Sequence, residues 1–91
     1  MGYAYRDASR KSWGGPSIGG WSETRIFLSG RKEPRPALEQ FIEYGYTNQL
    51  VELSDECEHL AEKCADEGVK AVLTHLANVA RQADEIVILE L

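Results

Sequence analysis

Long apolar runs are missing from this chain of 91 residues. No stretch approaches the ~20 consecutive apolar residues that cross a bilayer as a helix. The N-terminus carries no apolar core behind its charges, so no secretory signal is expected. Met1-Gly2 is followed by Arg6 where a myristoylation pattern wants Ser or Thr. These absences exclude a membrane partner, and a cytoplasmic protein is the expectation.

Cysteine is scarce as well: Cys57 and Cys64 are the two present. They stand seven apart in a segment that reads as helix, which at ~1.5 Å per residue separates them by ~10 Å along one face. A disulfide needs Cα atoms within ~7 Å, so the two do not bridge within that helix. Reduced core thiols are the expectation, with an intermolecular disulfide as the alternative.

Ligand-rich and phosphate-binding motifs are lacking too. Glu56 and His59 form one Glu-x-x-His, but the residue three before the other histidine, His75, is Val72, so the second half of a di-iron site is missing. His59 falls on the outward side of its helix, and the pair reads as solvated. Cys57 and His59 point in different directions on a helix, which argues against zinc. "GGPSIGG" ends without the Gly-Lys-Ser/Thr of a phosphate loop and does not match G-x-G-x-x-G. Both cysteines sit on an apolar seam in an acidic helix, which raises a thiol pKa and removes the nucleophile. No catalytic residue, metal or cofactor is therefore expected, and no enzyme.

What is present is charge of opposite sign in the two halves. Residues 1–36 hold seven cationic and three acidic residues, +4. Residues 37–91 hold three cationic and twelve acidic residues, −9. Residues 1–35 read as an extended basic arm, rich in glycine and in Tyr3, Tyr5, Trp13, Trp21 and Phe27. Disordered tails are poor in aromatics, so this arm is expected to order against something, with Trp13 and Trp21 as anchors. The bland reading is that the arm lies on its own acidic body.

Residues 36–91 read as an acidic helical domain. A short helix starts at Pro36, where proline suits the first turn, carries Leu38, Phe41 and Ile42 on one face, and stops at Gly45. Thr47 is the expected cap of the next helix, with Tyr46 stapled onto Val51. Leu50, Leu53, Cys57, Leu60 and Cys64 follow at spacings of three and four, the rhythm of a buried seam. Gly68 ends that helix. Val69, Val72, Leu76, Val79, Ala83 and Ile86 repeat the rhythm, widened by Leu73, Ala80 and Val87. The expected fold is mainly α: an antiparallel helical hairpin, a short preceding helix and the extended arm. The alternative is α+β, with residues 25–29 and 86–91 pairing as a small two-stranded sheet.

The function expected from this pattern is a non-enzymatic protein-interaction module, an adaptor, subunit or inhibitor. One side would be the arm, through Tyr3, Tyr5, Arg6, Arg10, Lys11, Trp13 and Trp21. The other would be the acidic helix face of Glu52, Asp55, Glu56, Glu58 and Glu62, suited to a basic protein surface or to mimicry of a nucleic-acid backbone. The alternative is single-stranded nucleic-acid binding through the arm, against which the −9 of residues 37–91 weighs. A third possibility is a homo-oligomer in which the arm of one chain wraps the acidic body of the next.

Overall fold

A computed structural model describes residues 2–91. The chain runs β1 (Tyr3–Arg6), α1 (Ile18–Ser29), α2 (Pro36–Tyr44), β2 (Tyr46–Thr47), α3 (Leu50–Glu62), α4 (Glu67–Ala80) and β3 (Ile86–Glu90). Among the described residues the fold is α+β: four helices and a three-stranded antiparallel sheet with β3 between β1 and β2. No helix is long and apolar enough to cross a membrane among the described residues.

The mainly α expectation therefore needs correcting at both ends. Residues 86–90 are a strand, yet they pair with β1 and β2 and not with residues 25–29. Nothing breaks the chain sharply after Gly68, but Ile86, Val87 and Ile88 are β-branched and apolar on successive positions. That pattern suits the middle strand of a sheet better than a half-exposed helix. Residues 25–29 close α1 instead. A five-residue run with three apolar members does not separate helix from strand; here the caps and a buried stripe decide. Ser17 accepts a hydrogen bond from the Gly20 N–H at the N-terminus, and Gly30 closes the other end. Trp21, Thr24 and Leu28 are buried at helical spacing.

The N-terminal third is thus not extended. β1 turns at residues 7–11 and returns along itself. Tyr3 N–H donates to the Pro16 carbonyl (2.9 Å), Tyr5 N–H to the Gly14 carbonyl (2.8 Å) and Trp13 N–H to the Tyr5 carbonyl (2.9 Å). Trp13 and Gly14 both stand opposite Tyr5, which makes the return strand bulged. Gly14 sits at φ +74, a left-handed backbone that side chains disfavour. Gly15 lies so close to β1 that a Cβ there would stand 2.4 Å from the Tyr3 carbonyl oxygen. Pro16 has no N–H to offer a further strand, so this edge is blunted.

Helices α3 and α4 form the expected antiparallel hairpin, with Leu53, Cys57, Leu60 and Cys64 facing Val69, Leu73, Leu76, Val79 and Ala80 in one buried core. The boundaries differ from expectation. Helix α3 ends at Glu62, and Asp66, accepting from the Val69 N–H at 3.1 Å, caps α4. Gly68 lies inside the first turn of α4. Thr47 belongs to β2; its hydroxyl accepts from Gln49 N–H and donates to Gln40 Oε1, and the α3 N-cap is Gln49. No staple forms at Val51, whose side chain is 72% exposed.

The sheet presents the Tyr5–Ile88 and Thr47–Ile86 pairs on one side. Tyr5 reaches Phe41 of α2 (ring centroids 6.0 Å apart) and His75 of α4 (5.7 Å). Trp21 stands edge-on to Phe41 at 6.1 Å and beside Tyr3 at 6.1 Å. One core therefore joins Tyr5, Trp21 and Leu28 to Leu38, Phe41 and the α3–α4 seam.

Helix α2 starts with a problem its own sequence does not solve. Its N-cap is Arg35, whose side chain makes no cap hydrogen bond, and Pro36 occupies the first turn. The amides of Ala37 and Leu38 are satisfied from α3 instead: Glu56 Oε2 accepts from Ala37 (3.1 Å) and Oε1 from Leu38 (2.9 Å). Burial raises the Glu56 pKa, and the two amides pull it back. Glu56→Ala is expected to destabilise the chain by about 1–2 kcal/mol, as loss of a helix cap does. The exposed neighbour Glu52→Ala is the control. Equal melting temperatures for the two variants would contradict the capping role.

Candidate interaction surface

The twelve residues expected to bind a partner separate by burial. Tyr5 and Trp21 are enclosed in the core, and Tyr3 and Trp13 are half-buried. Trp21 thus anchors to its own chain. Burial, then the nearby Cys57 thiol, raises the Tyr5 pKa, and its hydroxyl has no hydrogen-bond partner among the described residues.

Asp7 organises the turn of the N-terminal hairpin. Its Oδ1 accepts from the Ser9 amide (3.0 Å), the Ser9 hydroxyl (2.7 Å) and the Lys11 amide (3.1 Å). Its Oδ2 accepts from the Trp13 indole N–H at 3.0 Å. The Ser9 hydroxyl, with Trp13 next, holds the Asp7 pKa below the ordinary carboxylate range. Lys11 Nζ lies 3.9 Å from the centre of the Trp13 ring, covering one face of it. Arg10, exposed at the turn, adopts φ 66. Arg6 is half-buried, and its Nε is enclosed without a hydrogen-bond partner among the described residues.

The acidic residues of α3 also divide. Glu56 turns inward to cap α2, which corrects its expected place on a solvated face beside His59. Pro36 and Arg35 supply no acceptor there, and Glu56 does. Glu58 is ion-paired with Arg81 of α4. Glu52, Asp55 and Glu62 are exposed and form no ion pair among the described residues. No ion pair joins Arg6, Arg10 or Lys11 to α3 among the described residues; the N-terminal third is held to its body by the β1–β3 pairing and by apolar packing.

Beside these carboxylates lies a groove of about 310 Å³ lined by Leu50, Val51, Ser54, Asp55, Ala80 and Arg81. It sits where the start of α3 meets the end of α4. Val51 was not foreseen as a surface feature, because a staple from Tyr46 would have covered it. Its position between Leu50 and Glu52, outside the seam, is the signal that could have found it.

Cys57 and Cys64 are free and buried. Burial, then the charge of Glu56, pushes the Cys57 thiol well above its ordinary pKa, so it supplies no thiolate near neutral pH. No group of three or more His, Cys, Asp or Glu residues comes together to hold a metal among the described residues. No protein family, curated protein or solved structure matches this chain.

Proposed function

We propose that this chain is a protein-interaction module that uses the outer face of α3 to dock a basic protein surface. The observation that carries the reading is the exposed Val51 and its groove lying next to the unpaired carboxylates of Glu52 and Asp55. Arg81 in the groove lining is already paired with Glu58, so the charges left unpaired beside the apolar contact are carboxylates, which suits a partner segment that offers Lys or Arg around an apolar side chain. The apolar contact supplies affinity, and the rim charges speed encounter and reject acidic competitors. Support for single-stranded nucleic acid is thinner. Stacking needs open aromatic faces, whereas Tyr5 and Trp21 face the core and Lys11 covers a face of Trp13.

The test is site-specific photocrosslinking from position 51 of the intact chain in an extract of its native host, with the exposed Lys70 as control position. A crosslinked protein from position 51 is expected, weakened by salt and lost in the Glu52→Lys/Asp55→Lys variant. Equal crosslinking from position 70, or no effect of the charge reversals, would contradict the reading. Oligonucleotide binding that depends on Arg10 and Lys11 would favour the nucleic-acid alternative.

A further inference from the structure

Helices α1 and α2 lie next to one another without closing. Helix α1 packs chiefly on α4, and α2 on α3 and β2. The space between α1 and α2 is a trough of about 600 Å³, larger than the groove beside Val51. Its apolar parts are Leu28, which is buried, Ile42, which is half-buried, and Ile26, which is 68% exposed.

The charges of the trough are segregated by wall. Helix α1 contributes Arg25, and α2 contributes Glu39 and Glu43. Arg35 lies at the start of α2 and is already engaged: it donates to the carbonyls of Arg31 and Glu33 (3.1 Å each) and pairs with Glu39 at 3.8 Å. Arg25 and Glu43 form no ion pair among the described residues. The face therefore offers one unpaired cation on one wall, one unpaired anion on the other, and an isoleucine standing on the rim of an apolar floor.

We propose that this trough is a two-fold interface, and that its occupant is a second copy of the same chain. A two-fold contact uses the same patch on both copies, so that away from the axis residue i of one meets residue j of the other and j meets i. Ile26 of each copy enters the Leu28–Ile42 floor of the other. Arg25 of each copy meets Glu43 of the other, so both unpaired charges are matched twice. A partner of uniform charge would satisfy one wall and oppose the other, at a cost in desolvated, unmatched charge. This surface shares no residue with the α3 face, so either assignment stands or fails without the other.

The experiment is analytical ultracentrifugation of the full chain over a wide concentration range, with circular dichroism to confirm that each variant folds. The wild type is expected to pass from monomer to dimer. Ile26→Glu is expected to remain monomeric with an unchanged spectrum, since the side chain it replaces is exposed. Arg25→Glu and Glu43→Arg are each expected to weaken the dimer about tenfold or more, because each sets like charges face to face. The Arg25→Glu/Glu43→Arg double variant is expected to restore it. A wild type that stays monomeric throughout would overturn the proposal. So would a dimer that survives Ile26→Glu, or a double reversal that recovers nothing.

Discussion

Trp21→Ala is expected to lower the melting temperature by roughly 12–40 °C. Truncating a large buried aromatic costs about 3–5 kcal/mol, and each kcal/mol shifts the midpoint of a domain this small by roughly 4–8 °C. Trp21 is 6% exposed and stands between Tyr3 and Phe41, each 6.1 Å from it centre to centre. Its ring is where α1, β1 and α2 meet, and no disulfide holds those elements together if it is removed. The neighbouring side chains come from a strand and two helices, so they have little freedom to collapse into the space. Trp13→Ala is the informative control. Trp13 is half-buried on the bulged edge, and its loss is expected to cost about 1 kcal/mol, the order of an ordinary substitution. Thermal denaturation of the two variants checks the claim, and a similar small shift for both would contradict the anchoring role of Trp21.

Two glycines in the same stretch are expected to respond with opposite signs. Gly15→Ala places a methyl group 2.4 Å from the Tyr3 carbonyl oxygen, 2.8 Å from its carbon and 3.0 Å from the Ala4 Cα. All three are backbone atoms of β1, so no side chain can rotate out of the way. The return strand must move off β1, with loss of its hydrogen bonds, at a cost of about 3 kcal/mol, the upper end for overpacking. Gly19→Ala meets nothing within 4 Å and lies in the first turn of α1. There alanine's better helix propensity is expected to stabilise the chain by up to about 1 kcal/mol. Denaturant midpoints measured side by side decide the matter. Two shifts of the same sign would show that the strand return is not held as closely as the contact distances state.

The hairpin of α3 and α4 was legible because its information is local: apolar residues three and four apart declare a buried helix face wherever the rest of the chain goes. The same holds for α2, bracketed by Pro36 and Gly45. Helix α1 was hidden by its own residues. Glycines occupy two of its first three positions, and one member of its buried stripe is Thr24, whose hydroxyl donates to the Gly20 carbonyl of the same helix, 2.7 Å away. The sheet was hidden by distance. Tyr5 pairs with Ile88, and nothing near either residue names the other. The charge division was visible in the sequence, but its use was not, since Glu56 and Glu58 are taken up within the chain and only neighbours in space reveal that.

The position of β3 between β1 and β2 carries a consequence for the order of folding. The α3–α4 hairpin can form from contacts close along the chain, as soon as both helices exist. The sheet cannot. Its middle strand is the last element in chain order, and β1 and β2 are not hydrogen-bonded to each other without it. During synthesis from the N-terminus, Tyr3 and Tyr5 must therefore wait until residues 86–90 have been made before their strand has its central partner. Closing so long a loop is an entropic cost that local helix formation does not repay in advance. The late-arriving residues 86–90 thus act as the clasp that turns a loose helical hairpin and its aromatic companion segment into one cooperative unit.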